Sequence, residues 1–290
     1  MSTQTYRLSI SGVHKKNTAA AWSPDSKFLV TADKERVCVW NMETKASVKT
    51  HEKLVANVKN HGHPAAWSPK GDTIALADPK VGVVLLDAKF YTIKHVLKHK
   101  KCVSVAWSQS GEYLASAGYD KYVRIWDPIA GRELAMVKHS SKIYDVAFSP
   151  SRNIIASGSK DGIRVFDVNG AIIQDIPSRQ TIKNITWKDS AHLVFATDVK
   201  NFGVVNVEAY SVEWQKSQEE PIYSIDSKEK VIALGCNDGI VKIVDAFNGT
   251  PIKIYQVLKK NVVCVRFNPT GSFIAVCNNK GEVRVIAYSE

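Results

Sequence analysis

The sequence predicts an all-β protein in which seven four-stranded antiparallel units follow one another around a closed ring. Two observations carry this prediction. A short motif recurs at intervals of about 40 residues, and each copy is followed by strand-like alternation of apolar and polar residues. This period fits the four-stranded blade of a β-propeller and is longer than the leucine-rich, ankyrin and tetratricopeptide periods. The repeat alone therefore predicts the architecture, whatever the role of any single residue.

The recurring motif is a pair of small or branched residues followed by an aromatic residue, and in the clearest copies by Ser and Pro. The seven anchor positions are Trp22, Trp67, Trp107, Phe148, Trp187, Ser227 and Phe267. The shortest interval is 39 residues (148 to 187) and the longest is 45 (22 to 67). The copies at Trp187 and Ser227 are the weakest, but all seven remain in register.

Each anchor is followed by a turn, an apolar run, a second turn and a third alternating segment. The third copy shows the order clearly, with Ser110–Glu112 as the turn, Tyr113–Ser116 as the apolar run and Val123–Trp126 as the alternating segment. Period-two alternation with β-branched residues and frequent turn residues is typical of antiparallel strands. We expect no helix in the chain.

At these residues the sequence resembles the WD40-repeat family, and the resemblance covers essentially the whole chain. The Trp-Asp signature of the family stands at Trp126-Asp127. The resemblance implies a seven-bladed β-propeller. It also implies a structural hydrogen-bond tetrad in the third repeat, formed by His99, Ser116, Asp120 and Trp126.

Other repeats match the tetrad less well. The fourth repeat has His139, Ser157 and Asp161, but Phe166 replaces the Trp and has no indole N–H to donate. The first repeat has Trp40 and Thr31 but no Asp at the turn position that matches Asp120. Repeats five to seven keep little of the pattern.

A His, a Ser and an Asp close together raise the possibility of a hydrolytic triad. In this family the same residue types satisfy one another as buried polar groups, because each needs a partner when it is removed from water. The Ser is expected in a strand beside a Trp, where it stabilises the blade. We therefore interpret the group as structural.

The two ends of the chain predict how the ring closes. The last repeat has only three strands, at about 262–267, 273–277 and 282–287, and an unmatched strand at 5–10 precedes the first repeat. In WD40 proteins the N-terminal strand completes the last blade, which removes free sheet edges. The sequence thus predicts a single propeller domain over residues 1–290.

Composition places the chain among intracellular proteins, cytoplasmic or nuclear. The N-terminus has no signal-peptide pattern, and the longest apolar run, at about 81–86, is too short to span a membrane. Five cysteines are spread out with no C-x-x-C spacing, which is typical of a reducing compartment. We expect no membrane association.

The sequence contains no P-loop, dinucleotide-binding, zinc-protease or nucleophile-elbow motif. His61-Gly62-His63 has two potential metal ligands but no third ligand nearby in sequence. We therefore expect no catalytic residues, no metal, no cofactor and no small-molecule substrate.

The strongest functional signal is charge, with a formal net charge of +11 at pH 7. Loops between blades share one face of a propeller with the loops between the second and third strands of each blade, and we call this the top face. Lysines are concentrated in those loops, whereas the loops of the opposite, bottom face are mixed in sign. Our candidate partner-binding residues on the top face are Lys15, Lys16, Lys98, Lys100, Lys101, Tyr119, Lys121, Tyr122, Lys142, Lys259 and Lys260.

Two interpretations of this face stay open. Lysine is a common solvated side chain, so the lysines could serve only solubility. Alternatively, basic residues with neighbouring aromatic residues on one rim form a binding surface for an acidic partner. The densest basic segment of this face is residues 94–101, and it is where the two interpretations are tested first.

Four functional classes follow from these observations. The fold favours a non-catalytic scaffold or adaptor subunit that binds other proteins with acidic surfaces or peptides. The basic balance also allows contact with RNA or DNA in a ribonucleoprotein or chromatin-type complex. Lysine lacks the bidentate geometry of arginine, so such contact would be non-specific. Recognition of a modified or acidic peptide in the central channel is a third class, and an enzyme is the weakest.

Overall fold

The computed structural model describes residues 6–52, 63–198 and 200–289, and over these residues the chain is a seven-bladed ring of four-stranded antiparallel sheets. The predicted fold class is therefore confirmed. The one helical element in the described residues is a short 3-10 turn, Asn237–Gly239. Asp238 in this turn has a φ of 50°, so it is an irregular corner between two strands.

The strands of the first four blades follow the predicted repeat. Blade 1 contains β2 (Ala19–Trp22), β3 (Phe28–Ala32), β4 (Arg36–Asn41) and β5 (Ser47–Glu52). Blade 2 contains β6 (Ala65–Trp67), β7 (Thr73–Asp78), β8 (Gly82–Asp87) and β9 (Ile93–Leu97). Blade 3 contains β10 (Cys102–Trp107), β11 (Leu114–Gly118), β12 (Tyr122–Asp127) and β13 (Arg132–Lys138). Blade 4 contains β14 (Ile143–Phe148), β15 (Ile154–Ser159), β16 (Gly162–Asp167) and β17 (Ile172–Pro177).

The last three blades include the two repeats with the weakest motifs. Blade 5 contains β18 (Ile182–Trp187), β19 (His192–Thr197), β20 (Asn201–Asn206) and β21 (Ser211–Ser217). Blade 6 contains β22 (Ile222–Lys228), β23 (Val231–Cys236), β24 (Ile240–Asp245) and β25 (Pro251–Gln256). Blade 7 contains β26 (Val262–Phe267), β27 (Phe273–Asn278), β28 (Val283–Ala287) and, from the other end of the chain, β1 (Tyr6–Ile10).

The hydrophobic core is divided into layers, one between each pair of neighbouring blades. The layer between blades 1 and 2, for example, packs Val30 and Val39 against Ile74 and Leu86, all of which are almost fully buried. A single blade has two apolar faces and cannot bury either of them alone. The stability of each blade therefore depends on both of its neighbours.

The recurring anchor residues also link neighbouring blades through hydrogen bonds. Three anchor tryptophans donate the indole N–H to a backbone carbonyl on the innermost strand of the preceding blade. These bonds run from Trp22 to Arg266 O (3.1 Å), from Trp107 to Ala66 O (3.3 Å) and from Trp187 to Ala147 O (3.1 Å). In blade 6 the Ser227 hydroxyl makes the same link to Trp187 O at 2.9 Å. The weak motif of blade 6 thus keeps the bond although it lacks the aromatic ring.

The ring closes as predicted, because β1 pairs antiparallel with β28. Ser9 lies opposite Arg284, and Ile10 lies opposite Val283. Leu8 and Ile10 are buried in the layer between blades 7 and 1, whereas Ser9 is exposed. Five residues at the start of the sequence thus complete a sheet whose other strands lie more than 250 residues later.

Truncation of the closing strand tests this dependence. We expect deletion of residues 1–11 to lower the melting temperature, because it exposes the edge of β28 and one face of the blade 7–1 layer. The milder Ile10→Ala variant should cost about 2–5 kcal/mol of unfolding free energy through the cavity it leaves. Both are measured by thermal and urea unfolding.

The matched control is Ser9→Ala, which changes an exposed side chain of the same strand and should unfold as the wild type does. A truncated protein that melts at the wild-type temperature would contradict closure by β1.

Candidate interaction site: the basic top face

The top-face loops of blade 3 are positioned by a hydrogen-bonded tetrad. The Trp126 indole donates to Ser116 Oγ at 2.8 Å, and that hydroxyl lies 2.6 Å from His99 Nδ1. His99 Nε2 in turn lies 3.1 Å from Asp120 Oδ1. Since Asp120 can only accept, Nε2 carries the imidazole proton and Nδ1 accepts from Ser116. The chain of donors connects the third strand, the second strand, the inter-blade loop and the turn.

Asp120 gains its acidity from this arrangement. Burial opposes its ionisation, but the hydrogen bond from His99, together with the backbone N–H of Tyr122, holds the pKa of the carboxyl below its usual value. The turn that carries Tyr119, Lys121 and Tyr122 is therefore fixed to the blade at its centre.

The same geometry favours the structural interpretation of these residues over the hydrolytic one. Ser116 and His99 have exposed fractions of 0% and 1%, and the Ser116 hydroxyl already holds both the indole and the imidazole. A nucleophile must reach its substrate, and this hydroxyl has no access to solvent. The tetrad is a structural device.

Blade 1 contains a similar group with a carboxylate that the sequence comparison missed. Trp40 and His14 each lie 2.8 Å from Thr31 Oγ1, and Asp33 Oδ2 lies 3.6 Å from His14 Nδ1. We expected no matching Asp because Asp120 comes four residues after its hydroxyl, whereas Asp33 comes two residues after Thr31.

The position of Asp33 corresponds to Gly118 in blade 3. A Cβ at Gly118 would stand 2.8 Å from Asp120 Oδ1 and 2.9 Å from His99 Nε2. The space beside the histidine therefore holds a carboxylate in both blades, but the carboxylate comes from Asp33 in blade 1 and from Asp120, two repeat positions later, in blade 3. Burial opposes ionisation of Asp33, but His14 and three backbone N–H donors hold its pKa well below the usual value.

Blade 4 departs from the expected tetrad. The Ser157 hydroxyl lies 3.0 Å from His139 Nε2, as predicted, but Asp161 accepts hydrogen bonds from Ser140 and Ser141 instead of from His139. Ser159 stands at the position of Gly118, so the space that Asp120 occupies in blade 3 is filled. Burial lowers the pKa of His139 to about 4, and the charge of Arg164 acts in the same direction.

The structure brings the candidate lysines into two groups on the top face. The first group is Lys98, Lys100, Lys101, Lys121 and Lys142, all of them exposed. Their loops are joined by backbone hydrogen bonds from Tyr119 N to Lys101 O (3.0 Å) and from His139 N to Lys121 O (2.8 Å). The first group is therefore one continuous surface across blades 2 to 4.

The second group is Lys15, Lys16, Lys259 and Lys260, beside the closing blade. The loop of Lys259 and Lys260 contacts the turn of blade 7 through a hydrogen bond from Asn279 N to Asn261 O at 3.1 Å. Lys34 lies close enough to Lys16 to lower its pKa, because two neighbouring ammonium groups repel each other. Lys280 acts in the same direction. The second group is thus a concentration of positive charge.

Ion pairs neutralise little of this charge. Across the residues that the structure describes, Lys15 is the one candidate lysine with a carboxylate within 4.0 Å, the 3.1 Å pair with Glu35. The other eight candidate lysines have no such partner there.

The candidate tyrosines have different surroundings. Tyr119 packs edge-to-face against Tyr144 at 5.4 Å between ring centroids, with Lys142 Nζ 5.8 Å from the Tyr119 ring. Burial raises the pKa of Tyr119 to about 12, and Tyr144 adds to this. The Tyr122 ring instead lies 5.6 Å from the Arg124 guanidinium, within blade 3.

The candidate residues did not include two members of this cluster, Tyr144 and Lys183. Lys183 Nζ lies 3.4 Å from the centroid of the Tyr144 ring, and burial lowers the pKa of this lysine. Both residues occupy the second position of an innermost strand, directly after an inter-blade loop. That shared repeat position is the signal that could have found them.

The remaining candidate for a metal site does not form one among the described residues. His63 Nδ1 lies 2.8 Å from Asp145 Oδ1, and the same oxygen accepts from Ser104 at 2.7 Å. His61 and Gly62 lie outside the described residues. No group of three potential metal ligands occurs in the described ranges.

The central channel contains a cavity of about 380 Å³. Ala21, Ala66, Ala106 and Ala147 line one side of it, and Asp226 and Arg266 lie on the other. Burial raises the pKa of Asp226, while Arg266 opposes that effect. Peptide recognition in the channel remains a hypothesis.

Among the described residues, none of the helical segments has the length and apolar character needed to cross a membrane.

Comparison with known proteins agrees with the repeat geometry. The family model described as WD domain, G-beta repeat, matches residues 6–41, 91–127, 132–167 and 249–286. The chain belongs to the WD40-repeat family.

Curated relatives in this family carry names of complex subunits or associated proteins. COMPASS component SWD3 of Saccharomyces cerevisiae is 24% identical over 261 residues, covering 86% of this chain and 71% of the relative. THO complex subunit 3 of Arabidopsis thaliana is 23% identical over 247 residues, and this match covers 78% of this chain and 76% of the relative. Serine-threonine kinase receptor-associated protein of Gallus gallus is 29% identical over 52% of this chain and 41% of its own.

Removal of the hydroxyl at the centre of the blade 3 tetrad should destabilise the protein. In Ser116→Ala the Trp126 indole and His99 Nδ1 lose their shared partner in a buried site, which costs about 1–3 kcal/mol. Urea unfolding measures the loss. Ser211→Ala, at an exposed position, is the control, and equal stability of the two variants would contradict the structural role.

The His139 imidazole of blade 4, which has a hydroxyl partner but no carboxylate partner, predicts a pH dependence. The unfolded His139 has an ordinary pKa near 6.5, whereas its folded pKa is about 4. Between these values the unfolded state binds a proton that the folded state does not, so stability falls as the pH falls through this window. This residue should cost about 2 kcal/mol between pH 7.5 and pH 5.

His139→Asn should therefore lose less stability than the wild type when unfolding is measured at both pH values. Identical losses in the two proteins would show that another group accounts for the pH dependence.

Proposed function

We propose that this protein is a non-catalytic scaffold or adaptor subunit of a multiprotein assembly. In this proposal its top face binds an acidic surface or peptide of a partner protein. The observation that carries the proposal is the set of exposed lysines without ion-pair partners. Relatives named as components of COMPASS and THO complexes support the subunit role.

The electrostatic argument rests on where the charge lies. Exposed lysines that are not neutralised create a positive potential that attracts acidic surfaces and raises association rates. The first group spans three blades on loops held by backbone hydrogen bonds and by the tetrad. A partner therefore meets charges on a fixed framework and loses little additional freedom in ordering them.

The aromatic residues support a protein partner over nucleic acid. Tyr119 and Tyr144 pack against each other and against lysines, and Tyr122 packs against Arg124, so their rings are already engaged. Single-stranded nucleic acids bind to rings whose faces are free for base stacking. Non-specific contact with RNA or DNA through the lysines alone is the alternative that the experiment must separate.

The test is charge reversal of the densest segment, Lys98→Glu, Lys100→Glu and Lys101→Glu together. The tagged variant and the wild type are purified from the cells of origin, with and without nuclease, over a salt series. We expect the recovery of protein partners to fall on the order of tenfold and its salt dependence to become shallower. Nuclease should have no effect.

The matched control reverses three exposed bottom-face lysines, Lys27, Lys45 and Lys230. It carries the same change in net charge and should retain its partners. Equal loss in both triple variants would indicate a non-specific effect of net charge. Loss of the wild-type partners on nuclease treatment would overturn the protein-partner proposal in favour of nucleic acid.

A further inference from the structure

The side of the ring has an open apolar groove between blades 4 and 5. Its volume is about 350 Å³, within the range of pockets that enclose a ligand-sized group. Blade 4 supplies Ile163 and Ile176 to the groove, and blade 5 supplies Phe195, Val205 and Val212. Val212 is 48% exposed, so one wall is open to solvent.

At the groove, blade 5 lacks two large side chains that blades 3 and 4 direct toward the preceding blade. The first position is the strand residue paired with the tetrad hydroxyl. Blades 3 and 4 have Arg124 and Arg164 there, and blade 6 has Lys242. Arg164 donates to Lys138 O at 2.7 Å, so this side chain crosses to the preceding blade. Blade 5 has Gly203 at the same position, where a Cβ would stand 2.3 Å from the Trp214 carbonyl oxygen and 3.1 Å from the Phe195 ring, so no side chain crosses to blade 4 there.

The second position is that of the family's Trp. Trp40, Trp126 and Phe166 fill it in blades 1, 3 and 4, where they pack into the layer shared with the preceding blade. Blade 5 has Val205 there. The tetrad hydroxyl is also replaced, by Phe195, which forms part of the apolar floor. Blade 5 therefore lacks the tetrad and has an apolar groove in its place.

The rim of the groove carries one uncompensated charge. Arg179 is exposed and makes no side-chain hydrogen bond or ion pair with any residue that the structure describes. Its neighbour Gln180 is held by a 2.8 Å hydrogen bond from Asn201, and Ser178 donates to Gln180 O at 2.8 Å. Asp175, the nearest carboxylate on β17, is already paired with Arg164. The loop is thus fixed while its guanidinium is free.

We propose that this groove is a second docking site, and that it binds a short segment of a partner protein with an apolar side chain beside a carboxylate. The apolar side chain enters between blades 4 and 5 in the space that Trp or Phe fills elsewhere, and the carboxylate pairs with Arg179. Buried anchors next to a charged contact are typical of interface hot spots. The site does not depend on the top-face lysines.

The probe for this site is a displayed library of random 12-residue peptides, selected on the intact protein in the presence of excess poly-glutamate. Poly-glutamate occupies the lysines of the top face and competes at other exposed cations, Arg179 included. Peptides held by charge alone are therefore removed, whereas peptides that also insert an apolar side chain into the groove remain. Enriched peptides are synthesised, and their dissociation constants are measured by fluorescence anisotropy. We expect a consensus that combines a large apolar residue with Asp or Glu.

Three variants decide where such peptides bind. Val205→Phe, which introduces the residue type that blade 4 has at this position, should fill the groove and weaken binding at least tenfold. Arg179→Glu should weaken it about fivefold to tenfold. Lys216→Glu is the control, because it makes the same charge change as Arg179→Glu at a residue outside the groove. Lys216 lies on β21 and faces blade 6, where its Cδ is 3.2 Å from the position that a Cβ of Gly249 would have.

If Val205→Phe does not fold, Val212→Arg closes the groove at its exposed wall instead. The proposal is overturned if no peptide is enriched, if the enriched peptides bind the filled groove as well as the wild type, or if Arg179→Glu has no greater effect than Lys216→Glu. None of these outcomes bears on the lysine surface, which poly-glutamate has occupied.

Discussion

The pairing of the first strand with the last blade is the interaction on which the rest of the structure depends. Each blade buries its two faces only against its neighbours, so a ring with one gap leaves two apolar faces and a sheet edge in water. β1 fills that gap with Leu8 and Ile10 buried. The anchor bond from Trp22 to Arg266 O crosses the same junction. Closure thus combines a strand ladder, a core layer and a side-chain hydrogen bond.

Much of this was predictable because the repeat is redundant. The anchors, the strand order and the closing strand all came from the sequence, since seven copies in register tolerate weak members. Single contacts were less predictable. Asp33 was missed because the carboxylate of blade 1 enters from a different turn position. Asp161 was assigned to His139, but Ser159 fills the intervening space, and Ser140 and Ser141, which follow His139 in the same loop, donate to the carboxylate instead. Such details depend on which side chain occupies a shared space.

The candidate interaction surfaces also had features that could be predicted from the sequence and features that could not. The lysines could be placed on one face from topology alone, because loop type determines the face. The lack of ion pairs at these lysines could not be predicted, since it depends on side-chain distances. Tyr144 was not a candidate because it lies in a strand, not in a loop. The groove at Val205 could not be predicted for a related reason: a small side chain in one repeat leaves a groove only if neighbouring residues do not fill the space, and that depends on their three-dimensional positions.

The central claim is that the basic top face carries the partner contacts of a scaffold subunit. Lysine-directed crosslinking and mass spectrometry of the protein within its native assembly test this most directly, because the two faces differ in which lysines they expose. The account predicts that crosslinks to partner proteins concentrate at Lys98, Lys100 and Lys101 and at Lys259 and Lys260. Crosslinks confined to bottom-face lysines such as Lys27, Lys45 and Lys230 would contradict it.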